Sequence, residues 1–156
     1  MAGKNSLLQF YQQEPKILIR RIINRQDRLT VAYTEDRMVF KKDINPFIPT
    51  DVQFSAKYLL AILASKFISC LYVSSSVIAT KDDFRQTTLS ELRMLPIPAI
   101  PSEDQAPLIA LVDQILAAKK ADPQADTRTL ERQIDTLVYE LYGLTEDEIS
   151  FVEGVK

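Results

Sequence analysis

Three prolines, Pro96, Pro98 and Pro101, fall within six residues at the end of the stretch Leu89–Pro101. Each fixes its own φ, lacks a donor N–H and disfavours the helical region for the residue before it. The chain is therefore extended there, in a polyproline-like form that neither a helix nor an interior strand crosses. The stretch separates two unlike pieces. Residues 1–98 carry 14 Lys/Arg against nine Asp/Glu, and residues 99–156 carry five against 12. A formal charge of −2 thus hides a basic front of +5 and an acidic back of −7. We read Leu89–Pro101 as the joint between two working parts, residues 1–98 and residues 99–156.

Before the joint, Lys16–Ile23 is short, β-branched and almost continuously apolar, the pattern of a central strand covered on both faces. Asn24–Asp27 is a polar turn. Arg28–Thr34 alternates, with Leu29, Val31 and Tyr33 on one face, which predicts a half-buried strand. Arg37–Lys42 is read as a third strand with Met38 and Phe40 on one face, completing an antiparallel meander. Asn45–Asp51, with Pro46 and Pro49, is read as a loop. Ser55 is placed to cap one long helix, Ala56–Val73, whose stripe runs from Tyr58 through Leu63 and Phe67 to Tyr72. Ser6–Gln13 is read as a short helix or a lead-in. Val77–Thr88 is a polar connection, and Thr88 or Ser90 caps a short helical turn before the prolines.

After the joint the pattern is helical. Ser102 with Gln105 has capping-box spacing. Leu108, Ile109, Leu111, Val112, Ile115 and Leu116 fill one face as far as Lys119-Lys120. A second helix opens at Asp122-Pro123 or near Asp126, carries Leu130, Ile134, Leu137, Val138 and Leu141, and ends at Gly143 in a left-handed position. Thr145 with Glu148 opens a short terminal helix over Glu146–Glu153. The fold class is α+β: a small antiparallel sheet packed on a long helix, followed by an antiparallel helical hairpin. Neither hairpin helix buries its stripe alone, so the pair must pack on something further.

The composition excludes several chemistries. Histidine is absent and Cys70 is the sole cysteine, which removes the usual general base, cysteine-built metal sites and an internal disulfide. Three glycines leave no glycine-rich phosphate loop. No run reaches the ~18 apolar residues of a membrane span, and the chain is expected to be cytoplasmic, without cofactor, metal or membrane. Asp82-Asp83 and Glu146-Asp147-Glu148 lack a converging ligand and are read as helix-start and surface charge. Cys70 is expected in the core. What remains is the basic set Lys16, Arg20, Arg21, Arg25, Arg28, Lys41 and Lys42 at strand ends and turns, with Lys81 and Arg85 in the polar run Ser74–Arg85. Such residues grip phosphates, and arginine bonds guanine O6 and N7 in the major groove. The same charges also serve as a solvated sheet face, and the helical hairpin equally fits a module for protein assembly or self-association.

Four segments appear in order: Pro15-Lys16-Ile17-Leu18-Ile19-Arg20-Arg21, then Tyr58-Leu59-Leu60-Ala61-Ile62-Leu63-Ala64-Ser65-Lys66, then Leu95-Pro96-Ile97-Pro98, then Ile134-Asp135-Thr136-Leu137-Val138-Tyr139-Glu140-Leu141-Tyr142-Gly143-Leu144-Thr145. Over roughly residues 15–150 this resembles the TaqI-like C-terminal specificity domain. That domain follows the catalytic domain in adenine-specific DNA methyltransferases and in fused (type IIG) restriction–modification enzymes. It is similar in plan to the specificity half-subunits of type I restriction systems. Ala64 departs from the asparagine usual there. The Asn-Pro-Pro-Tyr motif of an adenine methyltransferase and a glycine-rich S-adenosylmethionine turn do not occur. The resemblance implies a non-catalytic target-recognition part, residues 1–98, that binds duplex DNA beside a methyltransferase catalytic domain or subunit, with the helices of residues 99–156 as spacer. The candidate DNA contacts, chosen by charge, are Arg20, Arg21, Arg25, Arg28, Lys41, Lys42, Lys81 and Arg85.

Overall fold

A computed structural model of the chain describes residues 11, 14–24, 26–76 and 85–154. Among them are a three-stranded antiparallel sheet and six helices, an α+β arrangement. The strands are β1 (Lys16–Arg20), β2 (Val31–Thr34) and β3 (Ile44–Phe47). Ile17 and Ile19 of β1 are 1% exposed, as expected for the apolar strand. The sheet order is β2-β1-β3, so the first strand is central and the expected meander is corrected. The third strand is also displaced from Arg37–Lys42 to Ile44–Phe47, running into the expected loop Asn45–Asp51.

Pro46 explains how. The Arg21 N–H donates to Asp43 O at 2.8 Å, which makes alternate pairs of β1 and β3 hydrogen-bonded. Leu18↔Pro46 is then a pair without bonds, and Pro46 turns its donorless nitrogen off the sheet edge, where no partner is lost.

The expected single helix Ala56–Val73 is two, α1 (Ala56–Ala64) and α2 (Lys66–Ser75), bent by 66°. Ser65 lies between them in an extended conformation. Its hydroxyl donates to Ile62 O at 2.7 Å and accepts from the Ile68 N–H at 3.2 Å, so one side chain closes one helix and caps the next. Ser55 caps α1 as expected. No single helix among the described residues is long and apolar enough to cross a membrane. The bent pair is a core element, with Tyr58, Ala61, Ile62 and Ile68 fully buried.

Thr88 caps α3 (Leu89–Leu92), as expected. The proline segment follows without regular structure, and two tyrosines hold its carbonyls. Tyr58 Oη donates to Pro98 O at 2.7 Å and Tyr142 Oη to Pro96 O at 2.6 Å. One tyrosine comes from α1 and the other from the C-terminal helices, so the proline segment is bonded to helices before and after it.

The hairpin is α4 (Ser102–Ala121) and α5 (Arg128–Tyr142), closed by α6 (Glu146–Glu153). Leu108, Val112, Ile134 and Val138 join the same hydrophobic cluster as Ile17, Ile19 and Tyr58, which supplies the further surface the stripes need. Gly143 takes φ 65° after α5, and Thr145 with Glu148 forms the capping box of α6. Of the two expected helix starts the hairpin turn takes the later: Thr127 occupies the N-cap position of α5, and the neighbouring Asp126 accepts from the Arg128 N–H at 3.1 Å.

Gln105 is a correction as well. Pro101 occupies the N-cap position of α4 and no side chain caps it, so Ser102 and Gln105 form no capping box. Gln105 is 1% exposed and acts as a clamp. Its Oε1 accepts from the Ser55 N–H at 3.2 Å, and its Nε2 donates to Gln53 O at 2.7 Å and Ile100 O at 3.1 Å. Gln105→Leu is expected to lower unfolding free energy by about 1–3 kcal/mol in denaturant melts, because three backbone groups lose their partner. A loss below ~0.5 kcal/mol would mean that water replaces all three bonds.

Candidate nucleic-acid interface

The sheet topology gathers basic residues from separate stretches at one end, where β1 finishes and β2 and β3 begin. Arg20 ends β1 and lies opposite Ile44, while its N–H donates to Thr30 O at 2.9 Å. Beyond it the chain bends at Arg21 and pairs again, Ile22 forming an isolated bridge with Gln86. Two bonds flank that bridge: Ile23 N–H to Arg85 O at 3.0 Å and Thr87 N–H to Arg21 O at 2.7 Å. Residues 85–87 therefore extend the sheet past β3. Asn45 of β3 donates to Thr87 Oγ1 at 3.3 Å, which ties the added segment to the edge strand.

Arg20 and Arg21 are both exposed and, as strand neighbours, project to opposite faces. Arg21 Nε donates to Gln86 Oε1 at 3.1 Å. Lys41 and Lys42 are exposed in the turn before β3, which the Ile44 N–H closes on Lys41 O at 3.1 Å. Arg85 is half-buried and pairs with Asp27. Arg25 and Lys81 lie outside the described residues.

Asn24 organises the chain that follows it. Asn24 Oδ1 accepts from the Gln26 and Arg28 N–H groups, both at 3.0 Å. Asp27 adopts φ 57°, a left-handed conformation that Asp tolerates better than most residues.

Two basic residues are used internally. Lys16 is 0% exposed, and its Nζ donates to Glu14 O at 2.8 Å and Asp36 O at 3.1 Å. Arg28 turns into the molecule, where its Nη2 donates to Ala64 O at 2.6 Å and lies 4.0 Å from Asp135 Oδ1. Asp135, 3% exposed, accepts from the Lys66 N–H at 2.8 Å, the first donor after the helix break. Burial pushes the Asp135 carboxyl above its usual range, and the Lys66 N–H and the Arg28 guanidinium oppose that shift. The 24–28 turn, the α1–α2 break and α5 are thus joined by one polar cluster. Sequence inspection singles out neither Asp135 nor Ser65 for this role, because the partners are far apart in the chain. Among the described residues no buried side-chain nitrogen or oxygen lacks a partner.

Cys70 corrects another expectation. It is half-buried rather than core and lines an apolar groove of about 520 Å³ with Phe67, Leu71, Tyr142 and Phe151. Glu146, Asp147 and Glu148 form the first turn of α6, where Glu148 completes the capping box. Asp82-Asp83 lie outside the described residues.

Comparison with known proteins gives two findings. The family model of the TaqI-like C-terminal specificity domain matches residues 2–97. A Methanocaldococcus jannaschii protein, named as a type II restriction enzyme and methyltransferase, is 43% identical over 145 residues. That match covers 90% of this chain and 12% of the relative, so the chain spans about an eighth of that protein's length.

Proposed function

The chain belongs to the family of TaqI-like C-terminal specificity domains, and we propose that it recognises a sequence in duplex DNA on behalf of an adenine-specific restriction–modification methyltransferase. The observation that carries this reading is the sheet end. It presents Arg20, Arg21, Lys41 and Lys42 exposed on a framework fixed by backbone bonds on both edges. Phosphate contacts set register and base-edge contacts set specificity, and a stiff strand end carrying cations suits both. Arg25, Lys81 and Arg85 complete the proposed contact set. Arg28 anchors the chain leading into β2 to the α1–α2 break through Ala64 O.

The division of charge supports the same orientation. The acidic residues 99–156 are repelled by phosphate and face protein, here the methyltransferase part, which supplies the catalysis and the S-adenosylmethionine pocket. A second reading, protein assembly through the helices, is favoured by one observation: Phe151 is 73% exposed beside the Phe67–Tyr142 groove. The two readings use different surfaces. Titrating the purified chain with a mixed-sequence duplex at about 50 mM and about 200 mM salt separates them. DNA binding expects retention at low salt that weakens steeply as salt rises. No retention at low salt, with salt-insensitive self-association, would contradict DNA binding and favour assembly.

A further inference from the structure

Ile22 is 43% exposed and takes no part in the hydrophobic cluster, although Ile17, Ile19 and Ile23 of the same run are buried. Its place is not a loose one. Backbone bonds hold the residues on either side, through Arg21 N–H to Asp43 O, Thr87 N–H to Arg21 O and Ile23 N–H to Arg85 O. A β-branched side chain on such a backbone has few rotamers, so its methyl groups occupy a defined position. The chain bends at Arg21, but its bonds keep alternating, Arg20 toward β2 and Arg21 and Ile23 toward the β3 side, and this alternation sets Ile22 on the face of Arg20. Thr30, exposed on the adjacent chain, is bonded to Arg20 through its carbonyl and brings a further methyl group to that face. The exposed end of the sheet thus sets an arginine between two methyl-bearing side chains.

Only thymine among the four bases carries a methyl group in the major groove, and apolar side chains read it by contact. We propose that Ile22 is a specificity-determining residue that packs against the C5-methyl group of a thymine in the recognised sequence, adjacent to the base pair approached by Arg20. The assignment rests on the DNA-recognition reading and adds to it a base and a residue.

The test uses the full chain and the duplex it selects from a randomised pool. Each thymine of the selected sequence is replaced in turn by deoxyuridine, which removes the methyl group and leaves base pairing intact. At one position the native chain is expected to lose affinity about fourfold, the worth of one buried methyl group. At that position Ile22→Ala is expected to bind the thymine and uracil duplexes equally, and Ile22→Val to retain part of the difference. If a sequence is selected but contains no thymine, or if no position shows a methyl effect that Ile22→Ala abolishes, the assignment is overturned while DNA recognition stands. If no sequence is enriched, recognition itself fails and the assignment falls with it.

Discussion

Replacing Asp135 with alanine is expected to lower the unfolding free energy by about 2–3 kcal/mol. The substitution leaves the Lys66 N–H, bonded at 2.8 Å, without an acceptor at the start of α2. It also removes the carboxylate beside Arg28. Truncating one member of a buried pair exposes the desolvation cost of what remains. The Arg28 side chain is 26% exposed, so water can reach it, and the loss falls below that of a fully enclosed pair. Asp135→Asn keeps an acceptor for Lys66 and is expected to lose about 1 kcal/mol.

The pH dependence has a defined sign. Burial raises the Asp135 carboxyl above its unfolded value, so the folded state binds this proton more tightly than the unfolded chain does. This group's contribution then decreases as pH rises from the ordinary carboxylate range through the raised folded value. In denaturant melts the native chain should gain on Asp135→Asn as pH falls from 7 toward about 4. A gap that narrows over that interval would mean that Arg28 and the Lys66 N–H outweigh burial.

The combined variant Arg20→Ala, Arg21→Ala, Lys41→Ala and Lys42→Ala is expected to abolish most low-salt DNA retention. If all four touch phosphate, the slope of log affinity against log salt becomes shallower by about 3–4, at ~0.9 per contact on duplex DNA. The four side chains are exposed, so folding stability should change by less than ~0.5 kcal/mol per site. Arg28→Ala is expected to behave in the opposite way. Its guanidinium is bonded to Ala64 O at 2.6 Å, so stability falls while the salt slope is kept. An unchanged slope in the combined variant would remove this sheet end as the electrostatic contact surface.

Much of the fold is legible where the signal is local. Gly143 ends α5 because a left-handed residue is needed there, Thr145 with Glu148 of the first turn caps α6, and Thr88 caps α3. The apolar run of β1 marks a central strand without any partner being known. What local pattern leaves unread is pairing and interruption. The order β2-β1-β3 is set by pairing across space, and Pro46 conceals an edge strand because only its orientation makes it harmless. The break at Ser65 involves neither glycine nor proline. It is stabilised by Asp135 and Arg28, residues distant in sequence, so an apolar stripe running through Leu63 and Phe67 reads as one helix.

The same contrast governs the candidate interface. Lys and Arg are visible in any sequence, but their separation into Lys16 and Arg28 inside and Arg20, Arg21, Lys41 and Lys42 outside comes from topology. Arg28 reads as the first residue of a strand, yet the bond of its N–H to Asn24 Oδ1 and the partners Ala64 and Asp135 hold it inward. The bridge Ile22↔Gln86 joins two stretches that the sequence keeps apart, and through it Arg85 comes beside the 24–28 turn.

Sequencing the duplexes that the purified chain retains from a randomised pool, at low and at moderate salt, tests sequence-specific recognition most directly. Recognition by this chain predicts a motif that is enriched at both salt concentrations and sharpens at the higher one, where non-specific phosphate binding fades. Retention with no enriched motif at either concentration would contradict it, leaving a basic surface that grips DNA without reading it.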